Sequence, residues 1–451
     1  MPATTAQPAR RSYLFGKGYA DLRKTIVDSW HANLGMMSRH SRSAKAEWEL
    51  AGAHYFLSCF WALSAISVVI CGTATFIAAS ALHLLLLGIF FGIIYVAFSA
   101  LYAVERTHML IRGIFSVCPS CHQRADLPVY ACPKCNVAHT RLIPGPYGIL
   151  HRHCQCGHDL PASFLTGRGR LQARCVCGQS ISGGGATAPL CFPIIGGPSA
   201  GKSCFLLALM DELLRTIATA RGWSLDFENP DAKAELERVL TQFKGGILPQ
   251  KTRERFAKSS RFFLRTRAQS VPRHVHIYDS AGEVFMAGDD LDQQHFYGYR
   301  HGFVFIVDLT SSHAIREAYA FSGNAATISQ LDPADALNKA LNKIEANYQN
   351  TKGTRFNEPL AIILNKVDAL HLGSTLEPSA APLGSSEARQ RALDQRCRSF
   401  LNDHGYSNLV RLIDQKFAKT AFFPCVCAPP KIQGVHDAAV WLFQTSAREL
   451  A

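Results

Sequence analysis

Lys202 and Ser203 close the pattern G-x-x-x-x-G-K-S, which opens at Gly196 and carries its second glycine at Gly201. Glycines at these places let backbone N–H groups turn inward while a following helix aims its N-terminus at the same spot, an arrangement that holds a phosphate. In that chemistry the Lys202 ammonium reaches the β- and γ-phosphates and the Ser203 hydroxyl is a ligand for Mg²⁺. Cys204, the next residue, belongs to the same phosphate-binding turn. An apolar run from Cys191 to Ile195 leads in, and Phe205, Leu206, Leu207, Leu209, Met210 and Leu213 follow at helical spacing. Strand, loop and helix therefore stand in the order such a loop needs.

Two later segments extend the site. "HVHIYDSAGE" reads as a strand ending at Asp279, where a carboxylate can enter the Mg²⁺ shell, and Gly282 and Glu283 follow it. "PLAIILNKVDAL" reads as a buried strand followed by Asn365, Lys366 and, one residue on, Asp368. A carboxylate at Asp368 accepts from both the ring N–H and the exocyclic amine of guanine. Adenine would set a lone pair against it, and buried polar groups left unpaired discriminate strongly. The Lys366 stem can lie along the base, and Asn365 can tie neighbouring loops together.

"GGPSAGKS", "DSAGE" and "NKVD", in that order, resemble the Ras-like, translation-factor-related class of P-loop GTPases over about residues 188–451. The resemblance implies an α/β fold with a mostly parallel sheet, and GTP or GDP at the carboxyl ends of its strands. It also implies that the Gly282 amide senses the γ-phosphate and that a switch threonine joins Mg²⁺. Thr252, ahead of the strand-like "SSRFFLRTRA", is the candidate, with Thr266 inside that strand the weaker one. Where relatives read Ser-Ala beside the base, this chain has Cys427-Ala428. Where many carry a water-orienting Gln, it has Glu283, which cannot donate a hydrogen bond. Three outcomes stay open there: slow hydrolysis, Glu283 as base, or an arginine supplied by a partner.

Eight cysteines form four close pairs. Cys118-x-x-Cys121 and Cys132-x-x-Cys135 are expected to share one tetrahedral Zn²⁺; Cys154-x-Cys156 and Cys175-x-Cys177 are expected to form a second four-thiolate site. His151, His153 or His158 could replace a thiolate in the second, and cross-bracing between the clusters is the alternative grouping. Four thiolates leave no open coordination position, so both sites read as structural. Arg168, Arg170 and Arg174 beside the second cluster keep nucleic acid as a less favoured partner.

The elements that must carry these residues differ along the chain. From Ala51 to Val104 there is no charged residue. About 20 apolar residues cross a bilayer, so the run is expected to fold as two spans, Tyr55–Ile77 and about Leu82–Val104, with a turn near Ser80–His83. Aromatic residues sit near both outer ends, and the basic flanks put both termini on the cytoplasmic side of a membrane, by expectation the bacterial inner membrane. Gly88 and Gly92 offer a small-residue packing face between helices or protomers. The N-terminal "YADLRKTIVDSW" has the spacing of a packing helix.

Charge follows the same division. The net charge is +13, and residues 1–190 hold 17 Lys and Arg against 7 Asp and Glu, so the basic excess is N-terminal. "MPATTAQPARRSYLFGKG" has no apolar stretch of the kind a cleaved signal needs, and paired thiols fit metal in a reducing compartment.

The expected organisation is a basic helical segment over 1–53, a membrane hairpin over 54–105, tandem zinc ribbons over 115–180 and a GTPase domain over 188–451. Together these features look similar to GTPases of bacterial conflict systems, such as the double-GTPase group. That likeness implies a membrane-anchored switch whose partners are lipid and a protein effector or a second GTPase, with an oligomer also open. The runners-up are a GTP-binding scaffold with little turnover and a nucleic-acid-binding NTPase.

Overall fold

The computed structural model describes the chain except residues 1–7, 12–14, 51, 53, 126, 186, 229, 250–257, 268–270, 280–297, 320, 324–326, 348–354, 377–385 and 448–451. It divides into two compact units: Met1–Ile111 with Val129–Gln172, and Arg112–Pro128 with Ala173–Ala451.

In the first unit, α1 (Lys17–Glu49) precedes α2 (His54–Ser67), a single π turn (Val68–Gly72) and α3 (Thr73–Ile111). The last three join into one helix of 58 residues, long and apolar enough to cross a membrane. The turn expected near Ser80–His83 is therefore absent: these residues are helical. The stretch Ser80-Ala81-Leu82-His83 contains neither Gly nor Pro, so nothing in it breaks the ladder of backbone hydrogen bonds.

Instead the chain reverses between α1 and α2. The rings of Trp48 and Tyr55 lie 4.9 Å apart, those of His40 and Trp61 5.2 Å, and those of Trp30 and Phe76 5.4 Å, which traces an antiparallel seam. The Ser58 hydroxyl donates to the Ala44 carbonyl at 2.6 Å within it. Side chains away from the seam stay exposed, Phe56 and Leu63 among them. No described atom lies within 4 Å of where a side chain would begin at Gly88 or Gly92, so the chain itself supplies no close packing there.

At the end of α3, Glu105 pairs with Arg168, and both are buried. Arg168 also donates to the Leu142 carbonyl at 2.7 Å and the Ala162 carbonyl at 3.3 Å. Arg168, one of the three arginines that keep nucleic acid as a less favoured partner, is thus buried in an ion pair. Its guanidinium fastens the cysteine-bearing segment of this unit to the helix.

Four short antiparallel hairpins follow one another along the cysteine segment: β1 (Ser116–Val117) with β2 (Arg124–Ala125), β3 (Val129–Ala131) with β4 (Ala138–His139), β5 (His151–His153) with β6 (Asp159–Pro161), and β7 (Ala173–Arg174) with β8 (Ser180–Ile181). Each encloses one pair of cysteines.

The second unit is built on a seven-stranded sheet among the described residues. Its strands are β9 (Ala188–Gly196), β10 (Ser224–Asp226), β11 (Lys258–Arg265), β12 (Arg273–Asp279), β13 (Phe303–Asp308), β14 (Leu360–Asn365) and β15 (Thr420–Cys425), in the spatial order β10-β11-β12-β9-β13-β14-β15. β12, β9, β13, β14 and β15 are parallel; at one edge β11 is antiparallel to β12, and β10 is antiparallel to β11. Near-continuous apolar runs such as "FVFIV" and "LAIIL" suit strands covered on both faces. Alternate residues of β9 divide accordingly, Leu190, Phe192 and Ile194 into one core and Cys191 and Ile195 into the other.

The mostly parallel sheet agrees with expectation. So does the strand β11, and a helix at Pro230–Lys244 precedes it.

Candidate nucleotide and metal sites

Parallel strands bring their carboxyl ends to one edge, where open α/β sheets bind ligands. Register aligns Asp279 with Ile194, Gly196 with Ile306, Asp308 with Asn365, and Asn365 with Cys425. Residues as far apart in the chain as Ile194 and Cys425 are thereby assembled along one rim.

Gly201 has φ +96° and opens α4 (Lys202–Glu212) as its N-cap. A Cβ at Gly201 would stand 2.2 Å from Asn365 Nδ2, so glycine is required both by the backbone and by that neighbour. Asn365 Nδ2 donates to the Ala200 carbonyl at 2.9 Å and ties the base motif to the phosphate loop. Lys202 Nζ donates to the carbonyls of Gly196 at 3.0 Å and Gly197 at 2.8 Å, which keeps the ammonium inside the loop's curve. Cys204 is half-buried, and burial pushes its thiol up to about 12, so it is neutral beside the phosphate loop.

Ser203 Oγ donates to Asp279 Oδ2 at 2.6 Å. Two oxygen ligands of the kind Mg²⁺ prefers converge at the helix N-terminus, and the donor set fits that ion. Thr266 does not belong to this set. β11 runs antiparallel with Lys258 opposite Asp279 and Leu264 opposite Arg273, so Thr266 follows the far end of the strand. Thr252, Gly282 and Glu283 lie outside the described residues.

Lys366, at φ +65°, sends Nζ to Asp308 Oδ2 at 2.6 Å, the Thr327 carbonyl at 2.6 Å and the Ser199 carbonyl at 3.1 Å. Asp308 is a site residue that sequence reasoning missed. Its other contacts are the Thr310 N–H at 3.0 Å, the Thr310 hydroxyl at 2.6 Å and the Ser329 N–H at 2.9 Å. The available signal was "FVFIVD", a strand that ends in a carboxylate as "HVHIYD" does.

Asp368 is exposed at the rim. Cys427 is buried, and its thiol is pushed well above the usual range by burial first, then by Cys425 and the charge of Asp368. Register sets Asn365 opposite Cys425, and Cys427 and Ala428 follow that strand end as Lys366 and Asp368 follow the other.

The cysteines group differently from expectation. Cys118, Cys121, Cys175 and Cys177 form one cluster, and Cys132, Cys135, Cys154 and Cys156 the other, each with its sulfurs within 4.8 Å of one another. The pairing Cys118/Cys121 with Cys132/Cys135, and Cys154/Cys156 with Cys175/Cys177, is corrected: one cluster is nested inside the other along the sequence. Both thiol pairs of the outer cluster belong to the second unit and both pairs of the inner one to the first, so each unit closes its own site.

Sulfur separations test the fit. Cys118 Sγ–Cys177 Sγ is 3.5 Å, Cys121–Cys175 3.6 Å, Cys135–Cys154 3.6 Å and Cys132–Cys156 3.7 Å. A tetrahedron with zinc–sulfur bonds of about 2.3 Å has edges of about 3.8 Å, so both clusters fit zinc. Backbone N–H groups of His158 and Gln179 lower the thiols of Cys156 and Cys177 to about 7, while burial raises those of Cys154 and Cys121 to about 12. The histidines offered as replacement ligands belong to neither group.

Fold and rim together define a P-loop nucleotide-binding protein with a guanine-type base motif. The family model for Double-GTPase 2 matches residues 191–438, more than half of the chain, and the chain belongs to that family. No curated protein matches it in sequence. Among solved structures, that of Methanosarcina barkeri Roco2 RocCORdC bound to GDP is similar at 11% identity and a TM-score of 0.25, over 58% of this chain. The match spans about half of that protein, 49%, and at this distance it bears on nothing further.

Proposed function

We infer that this chain is a membrane-anchored GTPase that acts as a nucleotide-dependent switch, with zinc ribbons between its anchor and its nucleotide-binding domain. The observation that carries the reading is the convergence of Ser203 and Asp279 beneath a phosphate loop that Asn365 fastens to the base motif. Bound Mg²⁺ would neutralise phosphate charge. The chain's own part is positional. Lys202 holds the β/γ region, Ser203 and Asp279 supply metal ligands, and Asp368 selects guanine over adenine.

Thr252, Gly282 and Glu283 complete the reading as the switch threonine, the γ-phosphate sensor and the residue facing the attacking water. Glu283 in place of Gln supports slow intrinsic turnover, or turnover completed by a partner. Anchoring by His54–Ile111 is supported by its length and apolar composition. The nucleotide-binding unit then faces a reducing, GTP-containing cytoplasm, at the inner membrane of a bacterial cell. The resemblance to conflict-system GTPases supports a defence role, with a protein effector or a second GTPase as partner.

The test is phosphate release from GTP and Mg²⁺ by the full chain in lipid vesicles, with Lys202→Ala as control. Release that Lys202→Ala abolishes supports the reading. Tight GTP binding without release, alone or with candidate partners, leaves a scaffold instead of an enzyme.

A further inference from the structure

The outer cysteine cluster does not stand apart from the nucleotide site. His122 follows the ligand Cys121 directly, and its conformation belongs to the metal-binding turn: φ is +53°, and its N–H donates to the Cys118 carbonyl at 3.1 Å. From that turn His122 reaches two tyrosines. Its carbonyl accepts from Tyr299 Oη at 2.6 Å, and its ring meets that of Tyr278 edge-on, at 5.1 Å and 89°. Phe115, just before the turn, packs its ring 5.9 Å from that of Tyr299.

Both tyrosines sit on chain segments that lead to site carboxylates. Tyr278 immediately precedes Asp279, which accepts from Ser203. Tyr299 leads into β13, whose last residue, Asp308, holds Lys366. Phe115, Val117, Tyr278 and Tyr299 share one buried core with Phe305 and Leu364 of the sheet. Packed cores of this kind shift between discrete arrangements and do not deform smoothly, so a change in the turn is passed on to what packs against it. The inner cluster has a matching turn, in which Asn136 at φ +56° donates its N–H to the Cys132 carbonyl at 2.8 Å, but it closes within the other unit.

We propose that the outer cluster is a regulatory zinc site whose occupancy sets the affinity of the nucleotide site, with His122 as the positioning residue between them. Zinc draws Cys118 and Cys121 together, and this fixes the turn that presents the His122 carbonyl and ring. Without it the turn relaxes, and Tyr278 and Tyr299 lose their common support. The coupling rests on reading the loop at Gly196–Ser203 as a guanine-nucleotide site. By linkage it must act in both directions: zinc tightens nucleotide binding, and nucleotide tightens zinc binding by the same factor.

The experiment uses the full chain in detergent, fluorescent GDP as probe, and a chromogenic chelator to follow zinc. Loss of the outer zinc, through Cys175→Ser with Cys177→Ser, is expected to weaken GDP binding about five- to tenfold, in the range of ordinary allosteric coupling. Cys154→Ser with Cys156→Ser removes the inner zinc and leaves GDP affinity unchanged. Tyr299→Phe keeps both zinc ions and the ring but deletes the hydroxyl. Its GDP affinity should fall part of the way toward the zinc-free value, which carries the test even where the cysteine variants fail to fold. Equal GDP affinity in the outer-zinc and Tyr299→Phe variants and the parent overturns the coupling alone. Failure of the zinc-loaded parent to bind any guanine nucleotide overturns the nucleotide reading, and the coupling with it.

Discussion

Lys366 Nζ lies 2.6 Å from Asp308 Oδ2, and this ion pair joins the ends of two neighbouring parallel strands at the rim of the sheet. The same ammonium reaches the Ser199 carbonyl of the phosphate loop, so one side chain links base motif, phosphate loop and central strand. Asp308 is 1% exposed and serves four donors, from Thr310, Ser329 and Lys366. Asp308→Ala strands those donors, and unfolding in denaturant should show a loss of about 3 kcal/mol, the usual cost of breaking one side of a buried pair. GDP affinity should fall with it. A variant as stable as the parent would show that the rim does not depend on this carboxylate.

Gly201 makes a sharper test because its neighbour is identified. Gly201→Ala sets a methyl group into the Asn365 amide at a left-handed position, and fluorescent GDP binding should weaken at least tenfold, about 1.4 kcal/mol. Gly222 also has positive φ, +64°, but nothing lies within 4 Å of its missing side chain. Gly222→Ala should cost about 1 kcal/mol of stability and leave nucleotide affinity intact. Equal effects on binding at the two positions would contradict the role given to the Asn365 contact.

The nested cysteine grouping predicts metal content directly. Parent protein should hold two zinc ions per chain, and Cys118→Ser combined with Cys175→Ser should remove one, because both belong to the outer cluster. If neighbours in sequence shared a site instead, the same double variant would damage both and zinc would fall toward zero. Elemental analysis of the purified chain decides between them.

Acid should weaken the nucleotide-binding unit through buried histidines. Burial, then the charges of Arg273 and Arg124, lower His301 from 6.5 to about 4, and its Nδ1 accepts from the Cys191 N–H at 3.3 Å. Burial also holds His276 well below 6.5. A histidine with a depressed folded pKa lends stability that is complete above the unfolded value of 6.5. That stability is lost as pH falls toward the folded value, here about 4. Each group contributes a slope of at most about 1.4 kcal/mol per pH unit. Denaturation midpoints between pH 6.5 and 5 should therefore fall, and fall less in His301→Gln, which keeps an acceptor for Cys191. Identical slopes in the two proteins would remove His301 from the account.

Much of the nucleotide-binding rim was legible in the sequence because its signals are local. A glycine-rich loop between strand and helix, and polar residues just beyond buried strands, declare themselves within a dozen residues. What escaped depends on register and closure. Asp308 looks like any strand-terminal carboxylate until alignment with Asn365 brings Lys366 to it. The cysteine partners were misassigned because neighbouring knuckles invite pairing in sequence order, whereas the two units close separately. In the sequence Arg168 stands as one of three arginines beside a cysteine pair, and only the approach of Glu105 sets it apart as the buried one. The apolar run fixed a helix but not a turn: 54 residues without charge permit two spans, yet Ser80–His83 offers no residue that ends one.

The central claim is that Asp368 makes the rim a guanine-nucleotide site, and competition for bound fluorescent GDP tests it most directly. Unlabelled GDP should displace the probe, ATP should not at a hundredfold higher concentration (~2.7 kcal/mol of discrimination), and Asp368→Asn should weaken GDP alone. Displacement by ATP as readily as by GDP, or an Asp368→Asn variant that binds GDP like the parent, would contradict it.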